Sequence, residues 1–147
     1  RIFIPITQNN APVSWTSRSV KSNELATVRY IGASIYEELV NKKELLYGEE
    51  KVRQSILVCE GPVDAWRIGP GAVATMGAAV TTTQVLIISR YPVRVVLLDQ
   101  DALVKARSLC EQLAGFPGQT HLVQLDSGKD PGSASEQELS LLRKTFL

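Results

Sequence analysis

Four short runs in the second half of the chain, "SILVCE" (55–60), "GAVATMG" (71–77), "VRVVLLD" (93–99) and "THLVQLD" (120–126), are rich in β-branched residues and almost unbroken in their apolarity. Such runs do not alternate between a dry face and a wet one, so each is expected to be a strand covered on both sides. Between them lie helical patterns: a short "PVDAWRIG", a threonine-led "TTTQVLIISRY", and "DALVKARSLCEQLAG", with apolar residues at helical spacing before a glycine stop. The order strand, helix, strand, helix predicts an α/β fold: a mostly parallel sheet with flanking helices and right-handed crossovers. A serine cap with acids behind it and basic residues at the far end marks "SASEQELSLLRKTF" as a closing helix.

The first half reads differently. "RIFIPI" and "VSWTSRSV" are expected strands and "SIYEELVNKKELLYG" (34–48) an expected helix, which makes a small α+β unit over residues 1–53 ahead of the α/β unit over 54–147. Eight Lys/Arg against six Asp/Glu leave the front mildly basic, and eight against nine leave the back mildly acidic. The net charge of +1 excludes no class of partner, because phosphate binding needs only a local patch. At 147 residues and 44% hydrophobic, the chain has room for one substantial core and a small appendage. No apolar stretch approaches the roughly 20 residues that span a bilayer. The two cysteines, Cys59 and Cys110, have neither CxxC spacing nor a histidine partner, so buried thiols are expected rather than a zinc site. Opening on Arg1 with no charged-then-apolar leader, the chain is expected to be a segment of something longer that works in the cytoplasm.

Topology says where chemistry belongs. In open parallel sheets, ligands gather outside the carboxyl ends of the strands, where loops converge. Glu60 closes the first run, Asp99 the third and Asp126 the fourth. Asp101 lies two residues past Asp99, so an extended path across Gln100 turns both carboxylates to one side. Asp64 follows Glu60 by about one helical turn, and Asp130 sits in the loop "DSGKDPG". Carboxylates crowded at one rim repel each other unless a cation intervenes, and Mg2+ or Mn2+ suits oxygen ligands of this kind. Each acid also has a plainer use: Asp64 can answer a helix dipole, Asp99 or Asp101 can cap the helix near Ala102, and Asp126 and Asp130 can serve a turn. Glu60 resists such a reading, since glutamate is a poor turn residue and is expensive to dehydrate beside Val58 and Cys59.

"ILVCEGPVDAWRIG" followed by "VRVVLLDQDA" resembles the Toprim domain, whose signature is E-G-x-x-D after the first strand and D-x-D after a later one. "GAVATMGAAVTTTQVLIISR" and "LDSGKDPGSASEQEL" are similar to the second strand, loop and helix, and to the closing acidic loop, of that domain in bacterial and phage primases. "RIFIPITQNNAPVSWTSRSV" and "VRYIGASIYEELVNKKELLYGEEKVRQS" resemble the segments that precede it there. The resemblance spans nearly the whole chain. It implies the Toprim-containing RNA-polymerase core of a bacterial or phage-type DNA primase, which makes short RNA primers on single-stranded DNA by two-metal nucleotidyl transfer. On that resemblance, Glu60 is metal ligand or general acid/base, Asp99 and Asp101 hold Mg2+ or Mn2+, Asp64 joins the catalytic set by supporting Glu60 and the metals, and Asp130 joins as a further ligand. Arg18, Arg29, Lys42, Lys43 and Lys129 would meet template or nucleotide phosphates, with Lys51 a weaker candidate. The implied partners are a single-stranded DNA template, ribonucleoside triphosphates, and a replicative helicase engaged through other domains, in a bacterial or phage-infected cytoplasm.

Two positions depart from that family pattern. Leu103 and Val104 follow the D-x-D where an Ala-Gly pair is usual, and a bulky residue there narrows the approach of backbone to phosphate. Arg29 stands where lysine is frequent, and the two are not equivalent at a phosphate. Two other classes share the acids: a Toprim nuclease, which needs no basic front, and a non-catalytic nucleic-acid-binding Toprim module. Tyr30, Tyr36, Tyr47 and Tyr91 show no arrangement for a strand-breaking nucleophile, and no G-x-x-x-x-G-K-S/T loop is present. His121 and Trp66 read as strand-edge and packing residues, whereas Trp15, close to Arg18, also suits base stacking.

Overall fold

Asparagine makes the first turn. Strand β1 (Ile2–Gln8) runs into β2 (Ala11–Arg18) through Asn9 and Asn10, both at positive φ (53° and 62°), the geometry that a tight hairpin demands and asparagine tolerates. A short β3 (Tyr30–Gly32) pairs antiparallel with β2, giving a three-stranded sheet in the order β1-β2-β3. The computed structural model describes residues 1–21 and 28–147.

The helix expected over residues 34–48 is not formed. The chain instead turns at 35–37, makes single 3-10 turns at Lys42–Glu44 and Glu49–Lys51, and bridges Tyr47 to Ala74. The reason is tertiary. Ile35, Tyr36 and Leu39 are 75%, 92% and 81% exposed, so no core holds an apolar face of that segment. Specific pins hold the segment: the Leu39 N–H donates to Val13 O at 2.8 Å, and the Lys42 ammonium donates to Ala33 O at 2.9 Å and to Glu38 at 2.5 Å.

The four apolar runs form one parallel sheet, as their composition requires. In chain order come β4 (Ser55–Cys59), α1 (Pro62–Ile68), β5 (Ala72–Ala74), α2 (Thr82–Ile88), β6 (Val93–Val96), α3 (Leu103–Ala114), β7 (Gln119–Leu122) and α4 (Glu136–Phe146). The sheet order is β5-β4-β6-β7, with every neighbouring pair parallel. Helix starts follow local chemistry. Proline opens α1, and reciprocal caps (Thr81 with Gln84, Ser135 with Glu138) open α2 and α4.

Alternation along β4 divides the core. Ile56 and Val58 face one side with Val73 and Val96, and pack against Val85 and Ile88 of α2 and Leu109 and Leu113 of α3. Leu57 and Cys59 face the other side with Val95, and pack against Ala65 and Ile68 of α1 and Leu139 and Leu142 of α4. Each fully buried aliphatic side chain stabilises the sheet by about 1.5–3 kcal/mol. Cys59 is a buried thiol and Cys110 a half-buried one, packed beside the core.

Candidate active site

The carboxyl ends of β4 and β6 lie side by side, because these strands pair in parallel and in register. Glu60 follows the last residue of β4, and Asp99 follows Leu97 and Leu98, which stay buried beyond β6. Glu60 Oε1 accepts the Asp99 N–H at 3.2 Å, so the two strand ends are joined through the acid itself. The chain does not stay extended across Gln100. A 3-10 turn over Gln100–Ala102 takes its place and swings Asp101 back, so that one carboxylate oxygen from each of Glu60, Asp99 and Asp101 lies within 4.8 Å of the others.

Half-burial and mutual repulsion set the electrostatics. Burial raises the Glu60 carboxyl, the Asp99 N–H opposes it, and the charges of Asp101 and Asp64 raise it further. Asp99 is pushed up to about 6, first by burial and then by Glu60 and the other acids. Burial also raises the carboxyl of Asp64, with Asp130 adding to it, against the amides of Gly132 and Gly61 and the charge of Arg18. Gly61 permits this crowding, since a Cβ there would stand 2.9 Å from Asp64 Oδ2 and 3.3 Å from the Tyr30 hydroxyl.

Opposite the acids stands the antiparallel sheet, and between them runs a cleft of about 420 Å³. Arg18, Arg29 and Lys42 line it from one side and Glu60, Asp64, Asp99 and Asp130 from the other. The Arg18 guanidinium donates to the Tyr30 hydroxyl at 3.0 Å and lies 5.6 Å from the centre of that ring. Lys43 lies apart from this wall. Its ammonium donates to the carbonyls of Thr75, Met76 and Ala79 at 2.8, 3.4 and 2.7 Å, and burial lowers its pKa while Glu60 opposes that shift. Lys129 is exposed and does not line the cleft, nor does Asp126 in its exposed turn. Lys51 is elsewhere, in a recess with Ser55, Gly71 and Leu147 near the start of β4. Trp15 stacks on Phe3 at 5.6 Å between centroids, His121 packs by Phe146, and the Trp66 indole donates to the Tyr47 hydroxyl.

Three residues of this site gave little sign in the sequence reading. Tyr30 lines the cleft as the partner of Arg18. Met76 lines it in the left-handed region, at φ 61°, a strained geometry for a side chain of its size and one that "ATMGAA" does not announce. Lys105 is exposed, and its charge favours ionised Glu60; its place four residues after Asp101 was the available signal.

The acid group fits a divalent cation on its own chemistry. Its donors are carboxylate oxygens only, two of them on half-buried side chains whose protons are held more tightly than usual. Hard cations such as Mg2+ and Mn2+ take this donor set.

No protein-family model matches the sequence, and no curated protein matches it. Solved structures match by fold. The RNA polymerase domain of Mycobacterium tuberculosis primase DnaG aligns with 98% of this chain and 54% of its own, at 17% identity and a TM-score of 0.71. A DnaG catalytic core aligns with 99% of this chain and 52% of its own, at 18% identity and a TM-score of 0.74. The M. tuberculosis domain in complex with a double-stranded DNA oligomer bearing a 6-nucleotide overhang aligns with 99% of this chain and 53% of its own, at 15% identity and a TM-score of 0.71. The chain therefore spans about half the length of these proteins and has the α/β fold of the DnaG core, with a mostly parallel sheet and flanking helices. Among the described residues no helix is long and apolar enough to cross a membrane.

Proposed function

We propose that this chain is a catalytic segment of a DNA primase, which joins ribonucleotides on a single-stranded DNA template. The observation that carries the reading is the convergence of Glu60, Asp99 and Asp101 at the carboxyl edge of a parallel sheet, across a cleft from Arg18 and Arg29. Residues 1–53 supply a basic ledge and residues 54–147 the acids, so template and triphosphate lie between opposite charges. Glu60, Asp99 and Asp101 would hold Mg2+ or Mn2+, and Asp130 stands on the same cleft wall. Bound cations supply charge neutralisation on the triphosphate and ease formation of the attacking 3′-oxyanion.

The chain's own side chains do the rest. Glu60 fixes the Asp99 backbone through its Oε1, which leaves Oε2 for the cation or for proton transfer. Arg18, braced by the Tyr30 hydroxyl, presents a fixed fork to a phosphate, and Arg29 extends that surface. Lys42, shared with Ala33 O and Glu38, offers a partly neutralised charge on the cleft wall. Replicative-helicase engagement and start-site choice belong, in this reading, to other parts of the replication machinery.

Incubation with Mn2+ or Mg2+, single-stranded template and labelled ribonucleotides tests the proposal. New oligoribonucleotides are expected, and Glu60→Gln or Asp99→Asn should reduce them by roughly 10²-fold or more. Shortened template would indicate a nuclease, and neither product from a folded chain would indicate a binding module.

A further inference from the structure

Asp64 is the acid of the E-G-x-x-D motif that does not join the Glu60, Asp99 and Asp101 group. It is buried, at 8% exposure, and both of its oxygens are engaged: Oδ2 accepts the Gly61 N–H at 3.1 Å and Oδ1 accepts the Gly132 N–H at 2.9 Å. The first bond holds the turn that follows Glu60. The second reaches 68 residues along the chain, into the loop between β7 and α4. That loop is tied again about one turn along the same face of α1, where Arg67 Nη2 donates to Ala134 O at 2.9 Å. Beside these ties, Asp130 Oδ1 accepts the Ser133 N–H at 2.8 Å and also the Ser133 hydroxyl, closing a small turn on the cleft wall. Gly132 fits because it has no side chain, since a Cβ there would stand 2.9 Å from Asp64 Oδ1 and 3.4 Å from Asp130 Oδ1.

We infer that Asp64 is a positioning residue: its carboxylate latches the closing loop to the Glu60 turn, and so presents Asp130 to the cleft without itself ligating a cation. The side-chain type follows from the two amides it serves. Aspartate offers two acceptor oxygens, whereas asparagine offers one and would set an NH2 against the other N–H. The inference rests on the reading of Glu60, Asp99, Asp101 and Asp130 as cation ligands, and its test separates the two ideas.

Two measurements are made on the full chain: hydrogen exchange at the Gly132 amide, and Mn2+ affinity by electron paramagnetic resonance. In Asp64→Asn, the Gly132 amide should exchange at least about tenfold faster, and Mn2+ affinity should fall about tenfold, the scale of an outer-shell loss. Adding Asp64→Asn to Asp130→Asn should cost no further affinity, whereas adding it to Asp101→Asn should multiply the losses. Gly132→Ala keeps every acid but crowds the latch, and it should lose Mn2+ affinity as Asp64→Asn does. Unchanged Gly132 exchange in Asp64→Asn, multiplying losses with Asp130→Asn, or wild-type affinity in a folded Gly132→Ala would each overturn the latch. Wild-type chain that binds no Mn2+ would instead sink the cation reading, and the Gly132 exchange would still decide the latch.

Discussion

A carboxyl whose pKa rises from 3.8 to about 6 on folding holds its proton more tightly in the native chain than in the unfolded one. Asp99 therefore destabilises the cation-free fold as pH rises: the effect is absent below about pH 4, grows between about 4 and 6, and is complete above that window. Glu60 and Asp64 are raised as well and act in the same direction. With chelator present, Asp99→Asn should make the chain more stable at pH 7.5 by about 1 kcal/mol, after allowance for solvent screening, and no more stable at pH 4. Urea unfolding at the two pH values measures this. Glu60 and Asp99 were legible in the sequence because each ends an apolar run, where an ionised side chain needs a purpose. The 3-10 turn that gathers Asp101 was not, since "DQDA" is compatible with extended and turned backbone alike. Met76 was illegible for a related reason: nothing in its neighbours requires a left-handed residue there, and tertiary contacts, including the Lys43 ammonium on its carbonyl, hold it so.

At the scale of elements, the parallel sheet was legible and the arginine buried in it was not. Unbroken apolar runs demand cover on both faces whatever the order of the strands, so the fold class follows from them directly. The segment 34–48 went the other way, because its apolar spacing met pins from Val13, Ala33 and Glu38 rather than a core. Arg94 is the other surprise. It lies fully buried in "VRVV", and its guanidinium donates to Thr120 Oγ1 at 3.0 Å, Pro117 O at 3.1 Å, Phe116 O at 3.2 Å and Ser89 O at 3.4 Å. Three of those acceptors are carbonyls at or just past the carboxyl ends of α2 and α3, where helix dipoles favour a cation. Arg94 thus ties both helices to β6 and to β7. Arg94→Met leaves these acceptors unpaired in a dry place and should cost about 3 kcal/mol of stability, read as a lowered urea midpoint.

At the scale of the whole molecule, the cleft exists because two sheets with different charge face each other, and sequence spacing carries no direct record of that meeting. The eight-to-six basic excess of the front half hinted at a ledge without saying which cations would compose it. The structure divides them. Arg18, Arg29 and Lys42 reach the cleft, Lys43 is absorbed by three carbonyls, Lys129 is on the exposed surface, and Lys51 lies in a separate recess near the start of β4. If single-stranded DNA lies in the cleft, only residues of the first group release counterions when it binds. The logarithm of affinity should then fall with the logarithm of salt concentration by about 0.7 for each phosphate neutralised. Arg18→Ala removes one such contact, so it should weaken binding and flatten the slope by about 0.7. Lys51→Ala should leave the slope where it is. Fluorescence anisotropy of a labelled oligonucleotide between about 50 and 200 mM salt measures both. Equal flattening by the two substitutions would mean that DNA follows the outer surface of the molecule, and the basic ledge would lose its place in the proposed reaction.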